Sequence, residues 1–162
     1  MGDLTVRPVR PEDAKAIARI YNHGIEDRIA TFETRPRTPE DVLGWLDGRH
    51  PAIVVEADGE IVAFASTSSY RPRECYAGIA EFSVYVDREY RGRGIGDALL
   101  GALEECARAL GYHKLVLAAF PHNAAGMRLY ERHGFSRVGI YHEQGRLDGR
   151  WVDVIVMEKI LG

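Results

Sequence analysis

The sequence predicts a single α/β domain over residues 1–162, and three observations predict it. Two apolar runs, 53–57 and 60–65, flank an Asp58-Gly59 pair, the pattern of a β-hairpin closed by a two-residue turn. A strand-like stretch, 80–86, runs through a glycine-rich loop into an amphipathic helix, and 114–119 repeats the strand-then-helix order. No internal repeat, low-complexity tract or linker interrupts the 162 residues, a length that suits one core and is short for two. Hairpins dominate one half of the chain and strand–helix alternation the other.

Each element has a local reason. Leu4-Thr5-Val6-Arg7 alternates as a short strand, and Pro11 then suits a first helical turn. Ala14, Ile17, Ala18, Tyr21 and Ile25 recur at helical spacing. Thr38-Pro39-Glu40-Asp41 reads as a second helix start, with Thr38 as cap and Asp41 in the capping-box position, and Gly48 is expected to end that helix. The stretch 70–78, with Pro72, Arg71, Arg73 and Glu74, reads as a loop. Ile95, Leu99, Leu103, Cys106 and Leu110 mark one face of the next helix, and Gly111 its stop. Residues 114–119 form a buried-looking strand, 123–133 a short helix ending at Gly134, and 135–141 and 151–159 two final strands.

Composition narrows the function. With 46% hydrophobic and 28% charged residues the chain has the make-up of a soluble globular protein. A net charge of −3 argues against a general nucleic-acid binder. No apolar run approaches the ~20 residues of a membrane span, and the start Met1-Gly2-Asp3-Leu4 lacks the pattern of a signal peptide. Cys75 and Cys106 have no metal spacing and point to a reducing, cytoplasmic setting. The six histidines show no i, i+4 ligand pair, so no metal is expected. Ser66, Ser68 and Ser69 lie in no G-x-S-x-G elbow, which argues against a hydrolase.

The sharpest chemical signal is Arg91-Gly92-Arg93-Gly94-Ile95-Gly96 at a helix start. Glycines there leave backbone N–H groups bare and let an anion approach, and the arginines add charge that does not titrate. The loop should hold a phosphate or pyrophosphate. The dinucleotide fingerprint G-x-G-x-x-G would need a glycine where Asp97 stands, and no G-K-[ST] follows, so both familiar nucleotide loops are excluded.

The R-x-x-G-x-G pattern, the order of elements, and Asn123 followed by Leu129-Tyr130-Glu131-Arg132-His133-Gly134-Phe135 resemble the GNAT superfamily of N-acetyltransferases over nearly the whole chain. Within it, 20–25, Thr31-Phe32-Glu33-Thr34, 36–38, Ser83-Val84-Tyr85-Val86 and 149–154 look like the phosphinothricin acetyltransferase group. That group acetylates the α-amine of glutamate-like toxins such as phosphinothricin, methionine sulfoximine and, in some members, arsinothricin. The resemblance implies a mixed, mostly antiparallel sheet that splays at the acetyl-CoA site and is flanked by helices. It also implies acetyl-CoA as co-substrate, a small amino acid as acceptor, no nucleic-acid or membrane partner, and a homodimer.

The same resemblance assigns roles to residues. The backbone of Val84, Tyr85 and Val86 would pair with the amide-rich pantetheine arm, as extended ligands do at an exposed strand edge. Arg91, Gly92, Arg93, Gly94, Ile95, Gly96 and Asp97 would wrap the pyrophosphate, where the helix dipole also favours negative charge. Asn123 would hydrogen-bond the cofactor arm, a role compatible with capping the helix that follows. Tyr130 stands where many members place a tyrosine near the thioester sulfur, and where the phosphinothricin group often has histidine; it either donates a proton to the departing thiolate or simply packs. Glu81 is the candidate base, because only a neutral amine attacks a thioester and the acceptor arrives mostly as an ammonium; the alternative is a solvated or ion-paired carboxylate. Arg71, Arg73 and Tyr76 would grip the anionic groups of the acceptor, and Phe32, Ser83 and Val154 would line its pocket beside Glu81. Two other readings remain at this level: a GNAT acting on another small amine or a protein N-terminus, and a non-catalytic acyl-CoA-binding sensor.

Overall fold

The computed structural model describes residues 3–46, 48 and 50–162. In chain order the elements are β1 (Leu4–Pro8), α1 (Ala14–Asp27), α2 (Pro39–Trp45), β2 (Ala52–Ala57), β3 (Glu60–Ser69), β4 (Ile79–Val86), α3 (Ile95–Ala109), β5 (Lys114–Ala119), α4 (Ala124–Arg132), β6 (Ser136–Leu147) and β7 (Arg150–Ile160). The strands form one seven-stranded sheet in the order β1-β2-β3-β4-β5-β7-β6. Every neighbouring pair is antiparallel except β4–β5. This is the mixed, mostly antiparallel sheet that the sequence implied.

The period of two along the strands divides the core between the sheet's faces. Ile53, Val55 and Ala57 of β2 join Ala80, Phe82, Leu115, Leu117 and Met157 beneath the buried stripe Ile95, Leu99 and Leu103 of α3. Val54 and Phe64 point the other way, against Ile17 and Ile20 of α1 and Val42 of α2. A third cluster, of Phe120, Leu147 and Val154 with Phe32 against it, lies towards the β6–β7 hairpin.

The local signals behave as their chemistry requires. Asp58 and Gly59 both have positive φ, 52° and 82°, as a tight hairpin turn demands. Thr38 Oγ1 accepts the Asp41 N–H at 3.2 Å while Asp41 accepts the Thr38 N–H at 2.9 Å, the reciprocal capping box. Four boundaries differ from expectation, the first being β3, which runs to Ser69, past the expected 60–65. α2 ends at Trp45, with Leu46 already extended, so Gly48 lies beyond the helix rather than stopping it; the Trp45 ring packs edge-on against Tyr21 of α1 at 5.0 Å. Leu110 falls past the end of α3 and is 62% exposed, off the buried stripe. β6 continues to Leu147 rather than stopping near 141, because Asp148 and Gly149 (φ 51° and 79°) form a second two-residue turn. Polar residues along this exposed edge strand hid its continuation.

Candidate active site

The sheet opens between its two central strands. β4 and β5 pair only through Ile79 with Lys114, Ala80 with Leu115 and Glu81 with Val116. Beyond Glu81, β4 stays bound to β3 as far as Val86, and β5 to β7 as far as Ala119. The diverging strands leave a cleft of about 270 Å³ walled by Val84 and Val86, the turn after β4, the first turn of α3 and most of α4.

The turn after β4 is anchored before it reaches the cleft. Asp87 is 3% exposed and accepts hydrogen bonds from Arg19 and from the Glu89 N–H. Burial works to raise its carboxyl, but the Arg19 guanidinium and the Glu89 amide outweigh that and hold it below the usual carboxylate range. Arg88 bonds Glu26 and Asp27 at the end of α1, and Arg91 spans from Asp27 (2.9 Å) to the Val86 carbonyl (3.3 Å). Gly92 and Gly94 both stand at φ 77°, and a Cβ on either would meet nothing within 4 Å. Their conformation demands glycine, and they border open space instead of packed protein. Gly94 caps α3, so the bare N–H groups of that helix face the cleft, and the donor set suits a pyrophosphate. Gly96 is glycine for another reason: a Cβ there would lie 3.2 Å from Leu129 of α4. Arg93 rests its guanidinium over the Tyr90 ring at 5.1 Å and is not part of the cleft wall.

Across the cleft, Asn123 caps α4 by accepting the Gly126 N–H at 3.0 Å through Oδ1, which leaves its Nδ2 donor for a ligand. A Cβ at position 126 would lie 2.6 Å from that side chain, so Gly126 makes room for the cap. Tyr130 is 8% exposed, lies against Phe82 and Phe135, and borders the cleft; burial pushes its phenol up to about 12. Tyr85 stacks on Phe64 at 5.1 Å and burial raises its phenol as well. Its ring passes so close to α1 that a Cβ at Gly24 would approach it to 3.1 Å.

Glu81 and Ser83 alternate with Phe82 and Val84 and therefore point to the other face of the sheet. Glu81 is half-buried and makes no hydrogen bond or ion pair among the described residues. A second hollow of about 330 Å³ lies beside it on that face, bounded by Ile79, Val116, Tyr70 and Tyr76. Tyr70 and Tyr76 meet edge to face at 5.6 Å, with Arg71 over one ring (4.2 Å) and Arg73 near the other (6.0 Å). Neither guanidinium has a carboxylate partner among the described residues. Phe32 and Val154 come together in the cluster near Phe120, where the Phe32 ring is pressed on Gly145 so closely that a Cβ there would lie 2.7 Å away. The predicted residues thus fall into a cleft group and a group on the opposite face, with Glu81 at the junction of the strands.

Sequence reasoning missed several cleft residues. Arg128 and Arg132 of α4 line it, and the Arg132 guanidinium bonds Asp97 at 3.0 Å. His133 also reaches Asp97, at 3.1 Å. The Arg132 and His133 hydrogen bonds hold the Asp97 carboxyl below its usual range and occupy it at the side of the helix terminus. The available signal was two arginines four apart on one helix face, a repulsive arrangement that wants anions nearby. Among the described residues, no cluster of His, Cys, Asp and Glu could hold a metal ion, and no helix is long and apolar enough to cross a membrane.

Residues 17–135 match the model of the acetyltransferase (GNAT) family. The phosphinothricin N-acetyltransferase of Streptomyces coelicolor is 37% identical over 98% of this chain and 97% of its own. The L-methionine sulfoximine/L-methionine sulfone acetyltransferase of Pseudomonas paraeruginosa is 36% identical over 95% and 92%. Among solved structures, a GNAT superfamily phosphinothricin acetyltransferase from Sinorhizobium meliloti in complex with acetyl-CoA superposes with a TM-score of 0.92 at 28% identity, over 98% of this chain and 89% of that one. The family match, the near full-length relatives and the shared fold agree: the chain belongs to the GNAT acetyltransferase family and is an acetyl-CoA-dependent N-acetyltransferase.

Proposed function

We propose that the acceptor is the α-amino group of a glutamate-analogue amino acid of the phosphinothricin, methionine sulfoximine or arsinothricin type, and that the biological role is detoxification of such compounds. The observation that carries this reading is that Glu81, at the last pair joining β4 to β5, and Arg71 and Arg73, beside the Tyr70–Tyr76 rings before β4, have no ion-pair partners among the described residues. The names of the S. coelicolor and P. paraeruginosa relatives support the same acceptor class.

In this reading acetyl-CoA supplies the acyl group when bound. The backbone of Val84 to Val86, the turn Arg91–Asp97 and Asn123 hold it. Glu81, directly or through a water, takes the proton from the acceptor ammonium. The Tyr130 hydroxyl, protonated because burial raises its phenol, offers a proton to the departing thiolate. Arg71 and Arg73, with Tyr76, hold the acceptor's anionic groups in charge-assisted hydrogen bonds, and Phe32, Ser83 and Val154 shape the pocket. Polyamines or a protein N-terminus would want acidic residues in place of those arginines.

Exposed Val138, Ile140 and Trp151 on the β6–β7 hairpin support a homodimer, and free Cys75 and Cys106 support a cytoplasmic setting. The test is acetyl-CoA consumption against phosphinothricin, methionine sulfoximine, arsinothricin, the common amino acids and spermidine. Turnover of the anionic toxins is expected. Turnover of spermidine alone would overturn the acceptor, and no turnover with any amine would favour a sensor.

A further inference from the structure

Three arginines border the cofactor cleft, and their partners differ. Arg91 is held by Asp27 and the Val86 carbonyl. Arg132 is held by Asp97. Arg128, one helical turn before Arg132 on the same face of α4, makes no hydrogen bond, ion pair or ring contact among the described residues. Ala125, Arg128, Leu129 and Arg132 run as an i, i+3, i+4, i+7 stripe along the wall that α4 presents to the cleft, with Gly126 and Tyr130 beside them.

The neighbourhood explains what an unpartnered cation would want. Two like charges four apart on a helix repel, and Asp97 relieves only Arg132. The pyrophosphate claims the N–H groups of the turn 92–97 and the start of α3, on the opposite wall. Tyr130 is buried on α4's cleft face, whereas Arg128 on the same wall is exposed, so a group that meets Arg128 sits towards solvent. Coenzyme A carries, besides its pyrophosphate, a phosphate on the ribose 3′ oxygen, at the end of the molecule away from the thioester. As a phosphomonoester it has about −1.5 to −2 charge at neutral pH and three acceptor oxygens. A planar guanidinium matches that group in paired hydrogen bonds.

We infer that Arg128 recognises the 3′-phosphate of coenzyme A, and that Arg132 serves a separate purpose, keeping the Asp97 carboxylate from opposing the pyrophosphate. The inference rests on the cleft being the acetyl-CoA site. It makes the enzyme selective for coenzyme A over donors that lack the 3′-phosphate, a discrimination made by a side chain rather than by the backbone loop.

Calorimetric titration with coenzyme A and with 3′-dephospho-coenzyme A separates these roles. The wild type should bind coenzyme A about tenfold more tightly than the dephospho form, the size expected of one charge-assisted contact in a partly solvated site. Arg128→Ala should lose most of that preference by weakening coenzyme A alone, with an unchanged melting temperature, and Arg128→Lys should keep part of it. Arg132→Ala should weaken both ligands alike and preserve the preference, and Asp97→Asn in that background should restore binding. Equal binding of the two ligands by the wild type would overturn the proposal. So would Arg128→Ala weakening both equally, or Arg132→Ala erasing the preference instead. A wild type that binds neither ligand would sink the cleft assignment itself.

Discussion

Glu81 stands opposite Val116 in the last residue pair that joins β4 to β5. The carboxylate is therefore carried by a strand at the point where the sheet opens, and it has no hydrogen-bond or ion-pair partner among the described residues.

Glu81→Gln keeps the shape and removes the base. Turnover at pH 7 should fall by about a hundredfold or more, with the dissociation constant for acetyl-CoA nearly unchanged. The deficit should shrink as pH rises and more acceptor arrives as free amine. Steady-state rates from pH 6 to 10 check this, and a wild-type rate at pH 7 would move the base elsewhere.

Tyr130→Phe should slow the same step by a smaller factor, since water can also protonate a thiolate of ordinary acidity, about 8.5 for a cysteine-like thiol. Burial pushes this phenol up to about 12, so its donor form persists at every pH below that value. The wild-type rate should therefore show no alkaline loss from Tyr130 up to pH 10. A Phe variant as fast as the wild type would reduce Tyr130 to packing, whereas a tyrosine-dependent fall between pH 9 and 10 would keep it as the donor with a phenol less raised than its burial implies.

Gly94→Val forces a β-branched residue to φ 77° at the cap of α3. Its dissociation constant for acetyl-CoA should rise more than tenfold, whereas Arg93→Ala, which removes a solvated cation over Tyr90, should cost about threefold or less. Gly96→Val should behave differently again and lower the melting temperature, because its side chain meets Leu129. Calorimetry and thermal melts on the three variants distinguish the causes.

Much of this was legible in the sequence. The Asp58-Gly59 turn, the Thr38–Asp41 capping box and the glycines before α3 each carry their own local chemistry, so their placement needed no tertiary information. The capping role of Asn123 was visible for the same reason. What escaped depends on which surfaces meet. Gly24, Gly126 and Gly145 look like weak points in a helix or strand until Tyr85, Asn123 and Phe32 are seen lying against them. Arg128 and Arg132 read as a solvated helix face until α4 is set across the cleft from α3. The Asp148-Gly149 turn was a local signal that was overlooked because the flanking strand is polar.

Arg73→Ala should raise the Michaelis constant for phosphinothricin by about ten- to a hundredfold, the cost of one truncated charge-assisted contact of roughly 1.5–3 kcal/mol, and leave that for acetyl-CoA unchanged. Lysine should restore only part, for want of the planar fork. Esterifying the substrate carboxylate or deleting its side-chain phosphinate should mimic the mutation in the wild type and add little in the variant. Full additivity would place the anionic groups elsewhere.

Asp87 links α1 to the turn after β4 through Arg19, and its folded carboxyl lies below the unfolded value of about 3.9. A depressed carboxyl contributes stability that is complete above the unfolded value and is lost as pH falls through the folded one. Asp87→Asn should thus lower the melting temperature at pH 7 and narrow its difference from the wild type below about pH 4. A difference that stays constant down to pH 2 would exclude the ionised pair as its source.

Three rungs are few across the middle of a seven-stranded sheet. Mechanically, β1–β4 and β5–β7 are two plates joined along a short seam, and the buried stripe of α3, packed on strands of both, is the strap that spans it. Deleting a side chain from that stripe, as in Leu99→Ala, therefore loosens the joint between the plates as well as the core.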